Sequence, residues 1–432
     1  MSERLKRRRL DDQAGDMDGN IDPYRSATED EKHSWSGFCE LESEPALFNV
    51  MLREFGVKGV KVQEVFSLDE PDLAILNKPV HGLIFLFRWR EDDPEKQEAS
   101  CPEGLWFANQ TAGNSCASVA LLNIVNNIEG ADLGENLQRF KDFTMPFTPA
   151  LRGDAINNFE FVKRIHNSFA RSAGCRLIYS YCHPNIKFRR MDILNSDLLL
   201  KSEAASRRNR SKKHRQEEQE FDAGFHFIAF VPALGKVWKF DGLERQPQAL
   251  GAFEPDSDWL DLVKPDICAR MAAYAEDQIE FSILSLARDP LPGLVGQLAS
   301  NIRQLQSVSK SMQETTGAEP RATASLPENT LLGPDISYEV TQEAIEGRRV
   351  SGDDNPHCSA DDLTKRTIDL ATAQQVLRGK IRDHQQSQRA DEEYAAGRRF
   401  DYGPAIRTWL RLLARKQVIE DMVPKTKGFR EG

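Results

Sequence analysis

At Cys116 a polar loop gives way to an apolar helix, with a glutamine six residues ahead of the thiol. The segment reads Phe107-Ala108-Asn109-Gln110-Thr111-Ala112-Gly113-Asn114-Ser115-Cys116. Ala117, Leu121, Ile124 and Ile128 then recur at spacings of four, three and four, which is one face of an α-helix. Asn114 or Ser115 is placed to cap it. A thiol at a helix N-terminus lies beside unpaired N–H groups and the positive end of the helix dipole, and both favour thiolate over thiol. The Gln110 amide can donate toward the point where an oxyanion would form. This is the layout of a cysteine acyl-transfer site.

A base is available further along. Phe225-His226-Phe227-Ile228-Ala229-Phe230-Val231 reads as a buried strand with one histidine in it. The chain turns through Pro232-Ala233-Leu234-Gly235 and returns through Val237, Trp238 and Phe240 to Asp241-Gly242. If Val231 pairs with Val237, His226 falls opposite Gly242, and Asp241 is its near neighbour across the hairpin. His226 could then take the thiol proton, with Asp241 holding the imidazole in the right tautomer. Each residue also has a plain reading: a packed cysteine, a satisfied core histidine, an aspartate in a turn. Their conjunction with Gln110 favours catalysis over those readings.

Composition limits the alternatives. Net charge is −10, which argues against general nucleic-acid binding and allows a partner with a basic tail. The seven cysteines are scattered and odd in number, without a CxxC pair, so a reducing compartment fits better than a disulfide framework. No apolar run approaches the roughly 18 residues that span a membrane, and the N-terminus is charged rather than signal-like. The expected location is cytoplasm and nucleus.

The chain divides unevenly. Residues 1–34 form a polar tail with the basic cluster Lys6-Arg7-Arg8-Arg9, of the nuclear-import type or simply solvated. A globular unit is expected over 35–290, with a strand at His81 to Trp89 and a helix around Phe159 to Arg171. Residues 291–360 read as a largely disordered linker, rich in Ser, Thr, Gly, Pro and acidic residues beyond about 304. Residues 361–432 become helical again, with Trp409, Leu410 and Leu413 as candidate anchors on one face. That tail looks too small to bury its own apolar residues, so a partner or the globular unit should cover them; an ordinary helical hairpin on its own core is the alternative.

These residues carry a family resemblance. The chain resembles the ubiquitin C-terminal hydrolases, papain-like cysteine deubiquitinases. The matching segments are Trp35 to Phe66, Pro79 to Trp89, Asn109 to Ala117, His166-Asn167-Ser168-Phe169-Ala170-Arg171 and Phe225 to Leu243, in family order. The resemblance implies an α+β fold: a central antiparallel sheet flanked by helices, with a knotted backbone and here a C-terminal helical extension. It implies Cys116 as nucleophile, His226 as general base and acid, Asp241 as the orienting carboxylate and Gln110 as oxyanion donor, with no cofactor or metal. Ubiquitin and its conjugates would be the substrates. A ubiquitin-binding scaffold without turnover, or an adaptor-docking subunit, is the alternative.

Arg398-Arg399-Phe400-Asp401-Tyr402-Gly403-Pro404-Ala405-Ile406 and the following helix resemble the extension of the family's longer branch. That branch includes the proteasome-associated hydrolase, to which this chain is closer in size, and a chromatin-associated relative. The extension would dock an adaptor protein carrying a deubiquitinase-adaptor domain. One departure is a long crossover loop over 172–224. Its first half holds Cys175, Cys182 and His183 in apolar surroundings, an inserted hairpin or read-through intronic sequence. A metal site there would lack a second ligand pair at structural-zinc spacing.

Overall fold

The structure is a computed structural model. It describes residues 37–88, 93–169, 225–254, 257–273, 281–316, 329–348, 359–400 and 403–415. The Lys6–Arg9 cluster, Trp35, Trp89 and the crossover segment with Cys175, Cys182 and His183 lie outside these.

Six strands form one sheet: β1 (Val60–Glu64), β2 (Val80–Arg88), β3 (Phe225–Ala233), β4 (Lys236–Phe240), β5 (Gln248–Ala252) and β6 (Ser282–Arg288). Their order is β1-β6-β2-β3-β4-β5. Every neighbouring pair is antiparallel. The unbroken apolar run of β3 follows from burial on both faces. Phe227, Ala229 and Val231 enter one core, together with α1 (Pro45–Phe55) and α3 (Cys116–Val125). Ile228 and Phe230 enter a second core with Val263 and Ile267 of α7 (Leu260–Ala273). The result is an α+β sandwich with helices against both faces of an antiparallel sheet.

Close approach of α3 to the sheet requires a missing side chain. A Cβ on Gly82 of β2 would stand 2.6 Å from an Ile124 methyl, so glycine there lets the helix lie against the strands. The β3–β4 hairpin turns at Leu234 and Gly235, with φ of 53° and 71°, the type I′ geometry that suits strand twist. The remaining elements before β3 are α2 (Glu70–Ala74), α4 (Gly134–Thr144), α5 (Pro149–Asn157) and α6 (Glu160–Asn167).

After β6 the structure departs from two sequence expectations. Residues 291–316 are not linker but part of α8 (Pro290–Thr316), a helix of 27 residues. Its Ser and Gln side chains hide an apolar stripe. Leu291, Leu298, Ile302, Leu305, Val308 and Met312 are all buried. Residues 329–348 add a 3-10 turn (Ile336–Tyr338) and α9 (Gln342–Glu346). Residues 317–328 and 349–358 lie outside the described residues.

The tail also has a core to enter. The helix α10 (Ala360–Arg399) runs 40 residues and buries Leu363, Thr367, Ala371, Gln374, Ile381 and Ala395. Leu363 packs with Val308 and Met312 of α8, and Ile381 with Leu298 and Ile302. Ala395 reaches the core of the globular unit itself. Near its end Arg399 makes a paired ion contact with Glu54 of α1 at 2.7 and 2.8 Å, and Arg398 pairs with Glu42 at 3.0 Å. On α11 (Gly403–Arg415) Trp409 and Leu412 are about half exposed and Leu413 half-buried, while α10 exposes Ile368 and Val376. Leu410 lies on α11, but its side chain is outside the described set.

Candidate active site

Cys116 is the first residue of α3 and is half-buried. The expected cap is not made. Ser115 occupies the cap position with helical φ and ψ, and among the described residues no side chain caps the helix. Instead the Ser115 hydroxyl donates back to the Ala112 carbonyl at 2.9 Å, and Asn114 takes a positive φ of 60°. The loop is closed on itself and aims the first turn of α3 from outside the helix.

His226 comes from the start of β3, paired with Phe87 of β2. The β3–β4 register differs by one residue from the expectation: Val231 pairs with Trp238, and Pro232 with Val237. A one-residue change moves side chains between faces. Continuing the observed register, His226 would stand across from Leu243, so Asp241 is its diagonal neighbour on the same face. The expected register would have placed the two on opposite faces. The imidazole Nε2 lies 2.7 Å from Asp241 Oδ1, which also accepts from the Leu243 amide at 2.9 Å. With Nε2 committed to Asp241, Nδ1 is the nitrogen left to face Cys116, whose side chain is among the groups that raise the ring's pKa.

Both partners are buried, His226 to 4% and Asp241 to 3% exposure. Burial alone pulls the His226 pKa down. Hydrogen bonds to Asp241 and Cys116, and the charges of both, outweigh it and carry the ring to about 9. Burial likewise raises the Asp241 carboxyl, but the bonds and charge of His226 hold it below its ordinary value.

Gln110 is tied to the same corner. Its backbone N–H donates to the Gly242 carbonyl at 2.8 Å, one residue beyond Asp241. Its Nε2 donates to the Ala112 carbonyl at 3.1 Å, the carbonyl that also receives Ser115. An amide nitrogen carries two protons, so one remains. The Gln110 Oε1 is buried without a partner among the described residues. A Cβ on Gly242 would stand 3.1 Å from the Gln110 N and Cβ, so a larger residue would push the two segments apart.

Several residues that build the site were not singled out from sequence. Asn123 on α3 and Asn127, in the turn just past its end, act as a backbone edge for the incoming strand-like segment. Ala108 N–H donates to Asn123 Oδ1 at 2.8 Å, and Asn127 Nδ2 donates to the Trp106 carbonyl at 2.7 Å. Their signal is one amide inside an apolar helix and a second just after it ends. Arg152, buried on α5, donates to the carbonyls of Leu105 and Phe107 at 3.0 and 3.1 Å and to that of Thr144 at 3.1 Å. Together these contacts fix Leu105–Gln110 against α3. Among the described residues no cluster of three or more His, Cys, Asp or Glu could hold a metal ion.

Comparison with known proteins sets this geometry in a family. The model described as ubiquitin carboxyl-terminal hydrolase, family 1, matches residues 38–272. The chain belongs to the ubiquitin carboxyl-terminal hydrolase family. Isozyme L5 from Dictyostelium discoideum is 35% identical over 253 residues, 59% of this chain and 62% of the relative. Ubiquitin carboxyl-terminal hydrolase ubh-4 from Caenorhabditis elegans is 34% identical over 255 residues, 59% of this chain and 66% of the relative. The BAP1 hydrolase of Xenopus laevis is 30% identical over 294 residues, 64% of this chain and 38% of the relative. The match therefore spans less than two thirds of each of these relatives. A solved structure of Trichinella spiralis UCH37 bound to ubiquitin vinyl methyl ester is 27% identical, covers 60% of this chain and 86% of that one, and superposes with a TM-score of 0.44.

Proposed function

We propose that the protein is a ubiquitinyl hydrolase that cleaves after the C-terminal glycine of ubiquitin through a thioester on Cys116. The observation that supports this best is the buried Asp241–His226 pair, whose ring feels the Cys116 side chain at the start of α3, in a member of this family. Up to about pH 9 the ring keeps its proton, so at neutral pH it can serve as the acid that the leaving amine needs.

In the first half-reaction the Cys116 sulfur attacks the terminal glycine carbonyl and its oxygen becomes an oxyanion. The spare Gln110 N–H and the Cys116 backbone N–H, unpaired at the helix start, are the donors for that oxygen. His226 gives its proton to the leaving amine, and the C–N bond breaks. In the second half a water loses a proton to His226 Nδ1 and attacks the thioester. The C–S bond breaks, ubiquitin leaves as its carboxylate, and the proton returns to the Cys116–His226 pair. Asp241 keeps Nε2–H pointed at itself throughout, so Nδ1 alone faces the chemistry.

The proposed organisation assigns hydrolysis to the unit around the sheet and adaptor binding to the extension. Support for the second part is the exposed face of α11, where Trp409 and Leu413 stand one turn apart and Leu412 adds apolar area. An adaptor with a deubiquitinase-adaptor domain, at the proteasome or on chromatin, is the proposed occupant. Cytoplasm and nucleus are the proposed locations; among the described residues no helix is long and apolar enough to cross a membrane. Release of a fluorophore from a ubiquitin C-terminal amide tests the activity. Turnover that Cys116→Ala abolishes supports the reading, and turnover that survives it contradicts the assignment of the nucleophile.

A further inference from the structure

The chemistry above leaves one fully buried histidine unused. His166, near the end of α6, has no exposed surface, and neither has Ser118, the third residue of the helix that starts with Cys116. His166 Nδ1 lies 2.7 Å from Ser118 Oγ, and Nε2 lies 2.8 Å from the Cys39 carbonyl. A carbonyl only accepts, so Nε2 carries the hydrogen. In the neutral ring Nδ1 is then an acceptor, and the Ser118 hydroxyl donates to it. Burial holds the ring neutral, with its pKa lowered to about 4 against the opposing pull of the Cys39 carbonyl. The direction of the chain Ser118 to His166 to Cys39 is therefore fixed at any pH where the site works.

The ring has little freedom to move. Phe38 packs edge-on against it, centroids 4.9 Å apart. The next residue, Asn167, receives the Cys39 amide at 2.9 Å and donates to the Gly37 carbonyl at 2.9 Å. At the other end the tie meets a helix that lacks its usual restraint. A helix start without a capping side chain frays by preference, and the first turn of α3 has no such cap among the described residues. Among the described residues the Ser118–His166 bond ties that turn to another helix of the fold.

We propose that His166 is a positioning residue for the nucleophile: by accepting from Ser118 it fixes the first turn of α3 and so the place of Cys116 relative to His226. The role rests on the assignment of Cys116 and His226 made above, and it is separable from the identity of the substrate. Asn and Gln divide the two bonds of the ring. Asn can set an acceptor oxygen where Nδ1 stands and keep Ser118. Gln can reach the Cys39 carbonyl with its N–H and lose Ser118.

The test uses the full chain with His166→Asn, His166→Gln, His166→Ala and Ser118→Ala, each checked by melting. Two readouts are taken: kcat and KM on a ubiquitin C-terminal amide, and the pH profile of Cys116 alkylation by iodoacetamide, followed on the Cys116 peptide by mass spectrometry. His166→Gln and Ser118→Ala should lower kcat roughly ten- to hundredfold, the scale of a small misplacement of a reacting group, with KM little changed and the alkylation profile moved to higher pH. His166→Asn should stay near wild type in both. Ser118→Ala combined with His166→Ala should be no worse than the poorer single variant. Equal behaviour of Asn and Gln, additive losses, or an alkylation profile that none of the variants moves would overturn the role. If His166→Ala does not fold, Ser118→Ala alone decides, since it removes only a hydroxyl. A wild-type chain that shows the alkylation profile but no turnover would defeat the hydrolase reading and leave the alkylation arm to judge His166.

Discussion

Asp241→Asn isolates the charge that orients the base. Asparagine keeps the shape of the carboxylate and can still accept from the Leu243 amide, so the end of the hairpin is preserved. What disappears is a negative charge on an oxygen 2.7 Å from His226 Nε2. Burial works against a charged ring, yet Asp241 and Cys116 carry His226 from 6.5 to about 9. That net rise is worth about 3 kcal/mol in favour of the imidazolium. Asp241 is the larger of the two contributors in both hydrogen bond and charge, so its loss should remove the larger part. The ring should then release its proton near neutral pH. Asparagine can also turn an N–H toward Nε2, which favours the wrong tautomer.

The assay is kcat/KM on a ubiquitin amide across pH. The wild type should hold its activity until about 9, where the ring loses its proton. In the variant the alkaline limb should fall roughly one to two pH units lower, with activity at pH 8 down roughly two- to tenfold and lower again if the tautomer is wrong. His226→Ala should lose more, since it deletes the base. Stability should follow the same groups. The His226 pKa is raised on folding, so its contribution is complete below 6.5 and is lost as pH rises through about 9. The Asp241 pKa is depressed, so its contribution is present above 3.8 and is lost as pH falls through its folded value. The variant should lose melting temperature most between those limits. An alkaline limb that does not move would refute the argument, because Asp241 would then not set the proton affinity of His226.

Three further outcomes follow from the geometry. Gln110→Ala should lower kcat by roughly 10²- to 10³-fold with KM little changed, the scale of one oxyanion donor; a loss confined to KM would place Gln110 on the bound tail instead. Trp409→Ala with Leu413→Ala should abolish adaptor binding in a pull-down with the purified adaptor, while hydrolysis of a small ubiquitin amide stays within a few-fold of wild type; a shift of the main melting transition would mean that α11 packs inside the fold. Gly82→Ala should destabilise the chain by about 1–3 kcal/mol in denaturant titration, because its Cβ would stand 2.6 Å from Ile124; adding Ile124→Val should recover part of the loss, and a neutral Gly82→Ala would show that α3 can lift from the sheet.

Legibility in the sequence followed how local the determining interaction is. The β3–β4 hairpin and the start of α3 were readable because alternation, a two-residue turn and helical spacing are written within a few residues of each other. The hairpin makes His226 and Asp241 neighbours in sequence terms, but their shared face is not legible, because a register one residue out puts them on opposite faces and only the observed register makes them a diagonal pair. The stretch 291–316 reads as a linker by composition and as a helix by period, and the period prevails. Its Ser and Gln residues suggest a linker, while Leu291, Leu298, Ile302, Leu305, Val308 and Met312 mark a helix face that only has a purpose once α10 is packed against it. His166 carries no local signal of its own in the sequence. Its role depends on Ser118 and Cys39, residues 48 and 127 positions away, and no local pattern announces such a tie.

The central claim is that Cys116 forms a thioester with the C-terminus of ubiquitin. The most direct measurement is reaction of the full chain with a ubiquitin vinyl methyl ester, followed by peptide mapping of the adduct. One ubiquitin should be added per chain, on Cys116 alone, and the adduct should vanish in Cys116→Ala. Labelling of another cysteine such as Cys101 or Cys268, or no adduct on a folded chain, would contradict the account.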